Sequence, residues 1–238
     1  MFFSRMINAS LWLLVVVLFT AKTLSAQPPA CPVKFDQLPN VAELRGFHLG
    51  MTYEQVKARV PQIQFGPADQ FGVTKTSINP SFDRSFDQAS FADVRTISLD
   101  FLDGRVVNLW IGYESTFKWQ ALDEFVAGMS KAQNLPAGWS LKRGGRQLTC
   151  DGFSVFASLI AGSPSIRFTD DPAQDTIAAR REEAAATAEA MVVGDVRSKI
   201  YYSSDCDGRD AIPPPSRITF KDKDEAEKAG YKLAKDCQ

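Results

Sequence analysis

The sequence predicts an α+β protein with helices on an antiparallel sheet, then a linker helix and a small α+β C-terminal module. Three observations lead to this class. A central hairpin has hydrophobic residues at every second position, and two helical patterns each precede strand-like runs. An alanine-rich stretch then separates residues 193–238 from the rest. We therefore expect an α+β domain over 31–170, a linker helix over 171–192 and a module over 193–238.

Residues 1–26 have the three parts of a secretory signal peptide. Arg5 supplies positive charge, residues 11–19 form an apolar run, and "TLSA" is a small-residue end. The run is shorter than the about 20 residues that span a bilayer core. We expect cleavage after Ala26, with an uncleaved membrane anchor as the alternative. Lipidation of Cys31 is not expected, because "PPAC" lacks the apolar residue that precedes the acceptor cysteine of a lipoprotein. The mature protein would then be periplasmic or secreted, without a transmembrane segment.

Charge and cysteine content narrow the classes of function. Without residues 1–26, the chain has 25 basic and 28 acidic residues. It therefore lacks the excess of basic residues that is typical of nucleic-acid-binding proteins. The four cysteines are Cys31, Cys150, Cys206 and Cys237. An even number in an oxidising compartment predicts disulfides, and four cysteines allow three connectivities.

The first helix is predicted within "LGMTYEQVKARVP". Thr52 and Gln55 have the spacing of a capping box at its start. Val56 and Val60 give it an apolar face, and Pro61 marks its end. The following segment, 66–93, is rich in loop residues, and "GVTKTSI" within it indicates one strand.

The hairpin follows this loop-rich segment. "TISLDFL" places Ile97, Leu99 and Phe101 on one face, and Asp103 with Gly104 is a tight-turn signal. "RVVNLWIGY" then returns as the second strand. Four of its residues are expected to share the core face: Val107, Leu109, Ile111 and Tyr113.

The second half of the domain repeats the order of elements. A helix is predicted over 118–136, with a stripe formed by Leu122, Phe125, Val126 and Met129. Short strands are predicted at 139–143, 146–150, 153–160 and 165–168. The order of helix, strands, helix, strands suggests a duplicated unit. Residues 173–190 contain eight alanines and almost no large apolar side chain, which predicts a solvated linker helix.

Candidate catalytic residues are few. His48 is the only histidine, and we interpret it as a partly buried structural residue rather than a catalytic one. The carboxylates have no spacing that specifies a reaction. Trp110, Phe117 and Trp119 are interpreted as core or strand-face residues rather than a ligand platform. We therefore predict no catalytic residue, metal ligand or cofactor.

Residues 197–237 resemble the zinc-binding domain of the Ada DNA-methylphosphotriester repair family. The resemblance covers about 40 residues and rests on "IYY" with its following cysteine, "SRITF", "EAEKAGYK" and the last cysteine. That family has four zinc cysteines, spaced C-x3-C and C-x2-C, and the first also accepts the methyl group. The matching positions here are Tyr202, Cys206, Ala234 and Cys237. The resemblance therefore implies a degenerate module that neither holds zinc tightly nor accepts a methyl group.

The resemblance also implies how the cysteines pair. Zinc ligands lie within about 4 Å of one another, so Cys206 and Cys237 would already be adjacent and would form a disulfide in place of the metal. Cys31 and Cys150, both before the linker, would then pair with each other. The alternative is that these two are buried free thiols.

A shorter stretch, "RGFHLGMTYEQVKARVP", is similar to the helix start of small envelope proteins with a BamE-like or β-lactamase-inhibitor-like arrangement. In those proteins, helices pack on an antiparallel sheet. This resemblance agrees with the α+β prediction.

The leading functional hypothesis is an exported, non-enzymatic binding or envelope-associated protein, whose partner is a protein or a small molecule. One rival is a DNA-binding or DNA-repair protein, which the signal peptide, the charge and the lost cysteines oppose. Another is a hydrolase or an enzyme inhibitor with its site in the 66–93 loops. Carboxylates converging in a pocket would favour the hydrolase, and an exposed concave sheet with aromatic residues would favour the inhibitor.

Overall fold

The computed structural model describes residues 31–237, without the side chains of Asp207 and Asp236. The predicted signal peptide lies outside this range. In chain order the helices and strands are α1 (Tyr53–Arg59), β1 (Val73–Ile78), β2 (Val94–Leu102), β3 (Arg105–Tyr113), α2 (Leu122–Gln133), β4 (Ser140–Lys142), β5 (Gly145–Thr149), β6 (Phe153–Ile160), β7 (Ser163–Asp170), α3 (Asp171–Ala190), β8 (Val192–Asp195), β9 (Ile200–Tyr202), β10 (Arg217–Phe220), α4 (Lys223–Lys228) and β11 (Lys232–Leu233).

Strands β1 to β7 form a seven-stranded sheet in the order β1-β2-β3-β7-β6-β5-β4. Every neighbouring pair in this sheet is antiparallel. The chain thus builds two meanders, β1–β3 and β4–β7, which meet where β3 pairs with β7. Helix α1 precedes the first meander and α2 precedes the second. Mixed helices and mainly antiparallel strands agree with the predicted α+β class.

Helix α1 begins at the predicted capping box. The Thr52 hydroxyl accepts a hydrogen bond from the Gln55 backbone N–H at 3.3 Å, and the Gln55 side chain accepts one from the Thr52 N–H at 2.8 Å. Val56 is fully buried, and the helix ends at Arg59, two residues before Pro61. Local sequence therefore determines both ends of this helix.

The hairpin between β2 and β3 turns at Asp103 and Gly104. Both residues have positive φ, 49° and 82°, as a tight two-residue turn requires. The register shifts just before Phe101, which pairs with Val106. As a result Val106 enters the core and Val107 packs on the opposite face of the sheet, so the predicted core position of Val107 is wrong. A β-bulge of this kind reverses the side on which a residue points.

The main core lies between one face of the sheet, here called the inner face, and the helices α1 and α2. Both helices and the preceding segment contribute buried side chains to it. Its largest fully buried members include Phe47, Ile97, Leu99, Phe101, Leu109, Ile111, Tyr113, Phe125, Phe153 and Phe168. The stripe on α2 supplies this core as predicted through Phe125 and Met129, although the helix itself begins only at Leu122.

Helix α3 is mostly exposed to solvent, as its composition predicts, but its first half packs against the sheet. Its first turn is capped by Asp170, whose carboxylate accepts a hydrogen bond from the Ala173 N–H at 3.0 Å. Ile177 is buried against Val73 and Leu102 on the face opposite the core. One large apolar side chain is enough to pack α3 against the sheet, because the bulged hairpin end of the sheet provides an apolar patch for Ile177.

The C-terminal residues form a second, four-stranded sheet in the order β10-β8-β9-β11. Strands β9 and β11 pair in parallel, and the other pairs are antiparallel. This sheet and α4 have their own buried cluster, although contacts join the whole described range into one compact unit. The cluster contains Val192, Tyr201, Phe220, Ala226 and Tyr231.

Two disulfides cross-link the described residues. Cys31 is bonded to Cys150 and Cys206 to Cys237, with Cα–Cα distances of 4.4 Å and 5.6 Å. These are the two pairings predicted from the sequence. Cys31 and Cys150 are both buried. Since Cys150 directly follows β5, the first bond ties the beginning of the described chain to the end of that strand. Within residues 31–237, no helix has both the length and the apolarity needed to cross a membrane.

We expect the Cys31→Ala/Cys150→Ala variant to be less stable than the wild type. The bond joins residues 119 positions apart, and loop-closure entropy gives such a cross-link a contribution of about 4–5 kcal/mol at most. Urea unfolding under non-reducing conditions measures the loss. The Cys206→Ala/Cys237→Ala variant is the control, since its shorter loop has an upper limit of about 3–4 kcal/mol. An unchanged urea midpoint in the first variant would contradict the expectation.

Candidate functional site

The face of the seven-stranded sheet that points away from α1 and α2 is here called the outer face. One row of side chains, the central row, crosses it through directly paired positions on all seven strands. The row consists of Ser77, Ser98, Trp110, Arg167, Phe156, Gln147 and Ser140. At about 4.8 Å between strands, it extends over about 29 Å, which is the scale of a protein interface.

The middle of the central row carries two aromatic rings and a cation. Trp110 is paired with Arg167 across β3 and β7, and Arg167 with Phe156 across β7 and β6. Arg167 is exposed, and both aromatic side chains are half-buried. Tryptophan and arginine are the residue types that contribute most often to binding energy at protein interfaces.

Two glycines allow the aromatic rings to lie against the sheet. A Cβ on Gly112 would come within 2.9 Å of the Trp110 indole, and one on Gly145 within 2.8 Å of the Phe156 ring. Each ring therefore covers a neighbouring glycine instead of standing free in solvent. This arrangement restrains the side-chain torsions before any partner arrives, which lowers the entropic cost of binding.

Two serines lie between these glycines in the adjacent row. Ser165 pairs with Gly112 on one side and with Ser158 on the other, and Ser158 pairs with Gly145. Both serines are buried, and their hydroxyl oxygens are 2.9 Å apart in a hydrogen bond. The hydroxyls of these two buried serines are thus satisfied by each other, and the surface beneath the rings is formed by small side chains.

The charged side chains of the outer face are mainly basic. The Nη2 of Arg95 lies 3.4 Å from the position that a Cβ on Gly112 would take, beside the indole of Trp110. Lys75 is exposed on β1 opposite Asp100. Asp100 accepts a hydrogen bond from the Asn108 amide at 3.0 Å.

Helix α3 covers the hairpin end of the outer face. The Arg180 guanidinium donates two hydrogen bonds to the Asp103 carboxylate, at 2.9 and 2.6 Å, and one to the Phe71 carbonyl at 2.8 Å. The hydrogen bonds from Arg180 hold the pKa of the Asp103 carboxyl below its usual value. This bidentate contact and buried Ile177 hold the first half of α3 at one end, and the central row stays accessible.

A groove of about 1050 Å³ lies at the same end of the sheet, between α3 and the segment before α1. His48 lines it with an exposed side chain, so the expectation of a partly buried histidine is wrong. Its Nδ1 is 2.8 Å from the Leu49 carbonyl oxygen. Two carboxylates of the groove have structural partners, since Asp103 binds Arg180 and Asp170 caps α3.

The four positions implied by the Ada-like resemblance lie at one end of the C-terminal module. Cys206 and Cys237 are bonded to each other. The Cys237 N–H donates a hydrogen bond to the Ala234 carbonyl at 3.1 Å, and the N–H of buried Ala234 donates one to the Tyr201 carbonyl at 2.9 Å. The ring of Tyr202, the next residue after Tyr201, packs over Gly208, where an added Cβ would lie 2.5 Å from the ring. Among the described residues, no three His, Cys, Asp or Glu side chains form a group that could hold a metal.

Only some of the outer-face residues could be identified from the sequence. Phe117 and Trp119 belong to the core or pack against it, and Trp110 is a strand-face residue, as predicted. The prediction that none of the three forms a ligand platform is not tested by their positions, and the accessible Trp110 is the one for which we consider a binding role below. Trp110 and Phe156 also break the alternation of their strands, since each is an aromatic residue at a solvent-side position. That signal could have identified them. Their partner Arg167 could not be found, because its position depends on the pairing of β3 with β7.

Comparison with known proteins returns no relative. No protein-family model matches the chain, and no curated protein or solved structure is significantly similar to it.

We expect Gly112→Ala to displace the Trp110 indole from the sheet, because the new Cβ would lie 2.9 Å from the ring. The Trp110 fluorescence, obtained by subtracting the spectrum of a Trp110→Phe variant, should shift to longer wavelength. Gly66→Ala is the matched control, since nothing lies within 4 Å of its added Cβ. Identical spectra for Gly112→Ala and wild type would contradict the described ring position.

The oxidised mature protein should contain well below one zinc per chain. The sulfurs of Cys206 and Cys237 are bonded to each other, and a closed structural zinc site takes four ligands. Elemental analysis without reductant measures this. As a positive control, the Tyr202→Cys/Ala234→Cys variant should take up zinc when reduced. One equivalent of zinc in the wild type, with both cysteines open to alkylation after metal removal, would refute the expectation.

Proposed function

We propose that this chain is an exported, non-catalytic protein that binds another protein through the outer face of its seven-stranded sheet. The observation that carries the proposal is the central row, where Trp110, Arg167 and Phe156 stand side by side on adjacent strands. Half-buried aromatic residues around an exposed arginine are characteristic of an interface centre. A face of about 29 Å, estimated from strand spacing, suits a protein better than a small ligand.

Two features support export. Both cysteine pairs are oxidised in the structure, and structural disulfides persist mainly in oxidising compartments. The apolar run at residues 11–19 fits a secretory signal. We place the protein in the periplasm or outside the cell, free or associated with the envelope.

Among the alternatives, an enzyme inhibitor is favoured over a hydrolase. The outer face supplies exposed sheet and aromatic residues, which are part of what an inhibitor would need, although this surface lies on the strands and not in the 66–93 loops where the site is expected. Of the three carboxylates among the described residues that line the groove beside His48, Asp103 and Asp170 already have structural partners, so Asp36 has no second free carboxylate beside it in the groove. An inhibitor would be a special case of the proposed function, with an exported enzyme as the partner.

We also propose that residues 193–238 are a metal-free relative of the Ada zinc domain, in which the Cys206–Cys237 bond replaces the metal. A DNA-binding role for this module is disfavoured by its charge. It contains nine basic and nine acidic residues, which gives no excess of positive charge to attract phosphates.

Site-specific photocrosslinking tests the proposal in the producing cell. Benzoylphenylalanine in place of Gln147, within the central row, should give a discrete adduct with a partner protein. The same residue in place of exposed Lys131 on α2 should give none. Adding Trp110→Ala and Phe156→Ala to the Gln147 probe should reduce the adduct at least about fivefold, the loss expected for two interface anchors.

The matched control removes two exposed apolar side chains outside the outer face. Leu141→Ala with Ile218→Ala, which are 75% and 37% exposed, should leave the adduct unchanged. If no adduct forms, or if the aromatic pair can be removed without loss, the outer face is not the binding surface.

A further inference from the structure

Two arginines flank the Trp110 indole on the outer face. Arg167 lies opposite Trp110 on β7, and Arg95 comes from β2 on the other side, with its guanidinium beside the indole. Since β3 lies between β2 and β7, and Arg95 is level with Gly112 rather than with Trp110, the two arginines are mounted two strand spacings and one row apart, which is about 12 Å. The centre of the surface is therefore an aromatic ring with a cation on each side.

Neither arginine has an acidic partner among the described residues. The ion pairs formed within residues 31–237 at 4.0 Å or less involve other cations: Lys34, Lys118, Arg146 and Arg180. The local charge is also opposite to that of the chain, whose formal net charge is −1. Lys75, Arg95 and Arg167 share the outer face with two carboxylates. Asp100 is hydrogen-bonded to Asn108 and lies opposite Lys75. Asp171 accepts a hydrogen bond from Ser154, so in the described part of the chain the two arginines remain as the cations of this face without an acidic partner.

We infer that the partner presents an acidic, extended polypeptide segment to the outer face, with carboxylates that bind Arg95 and Arg167. This inference rests on the proposed function and specifies the chemistry of the partner. An arginine guanidinium binds a carboxylate through two parallel hydrogen bonds, and such charge-assisted pairs are strong where water is excluded. The rings of Trp110 and Phe156 provide the apolar surroundings that exclude it.

The geometry of an extended segment suits this pair of cations. In a strand, residues two apart point in the same direction and are about 7 Å apart. Two glutamates with this spacing can each meet one of two long arginine side chains mounted about 12 Å apart, because both arginine side chains can lean toward the indole between them. The residue between them points away, so the backbone of the segment can lie over the indole. A segment with acidic residues at alternate positions is the expected ligand.

A labelled model peptide tests the inference on the mature chain. The probe is an eight-residue fluorescein peptide that alternates glutamate and serine, and its matched control replaces glutamate with glutamine. We expect the acidic peptide to raise fluorescence anisotropy at low salt, and binding to weaken as salt rises. Arg95→Gln/Arg167→Gln should weaken binding at least about tenfold, as expected when two charge pairs are lost.

The control variant removes the same charge elsewhere. Lys57→Gln/Lys131→Gln, both on exposed positions of α1 and α2, should bind the acidic peptide like wild type. Equal binding of the glutamine peptide, no binding of the acidic peptide, or no effect of the two arginine substitutions would overturn the inference. So would tighter binding of single-stranded DNA of the same charge, which would identify the surface as a nucleic-acid site.

The two proposals fail in different ways. If the Gln147 crosslink is lost with the aromatic residues but the acidic peptide does not depend on Arg95 and Arg167, the outer face binds a protein of other chemistry. If the peptide binds through the arginines but no crosslink forms in the cell, the surface has the inferred preference for acidic peptides and the proposed protein partner is wrong.

Discussion

The pairing of β3 with β7 is the constraint on which the rest of the structure depends. Without this pairing, β3 and β7 would each be an edge strand that presents a row of unpaired backbone N–H and C=O groups. Joining the last strands of the two meanders makes one continuous sheet with one core beneath it. The same pairing places Trp110 beside Arg167, although 57 positions separate them in the sequence. Fold and candidate surface therefore have a common origin.

The two faces of this sheet differ in composition and in how far other elements cover them. The inner face is covered by α1 and α2 and contains large buried side chains. The outer face has small residues and hydrogen-bonded serines beneath two aromatic rings, and only its hairpin end is covered, by α3. A sheet that is fully packed on one side can leave the other side open without losing its core. This division makes an uncovered aromatic surface compatible with stability.

Cross-links hold the parts that have little core of their own. The Cys31–Cys150 bond fixes the beginning of the segment before α1, where residues 32–43 form short turns and none is buried. The C-terminal module has a buried cluster of few residues, and the Cys206–Cys237 bond closes its end. Small folding units commonly need such covalent support, because their apolar core contributes little free energy.

Local sequence determined the elements of this protein. The capping box of Thr52 and Gln55, the turn at Asp103 and Gly104, and the hydrophobic periods of the hairpin and of α2 act over a few residues, so they are readable without a structure. Tertiary structure decided the rest. The bulge that moves Val107 to the outer face and the packing of Ile177 depend on contacts between elements. The alignment of Trp110, Arg167 and Phe156 depends on which strands meet, and long-range pairing leaves no trace in local periodicity.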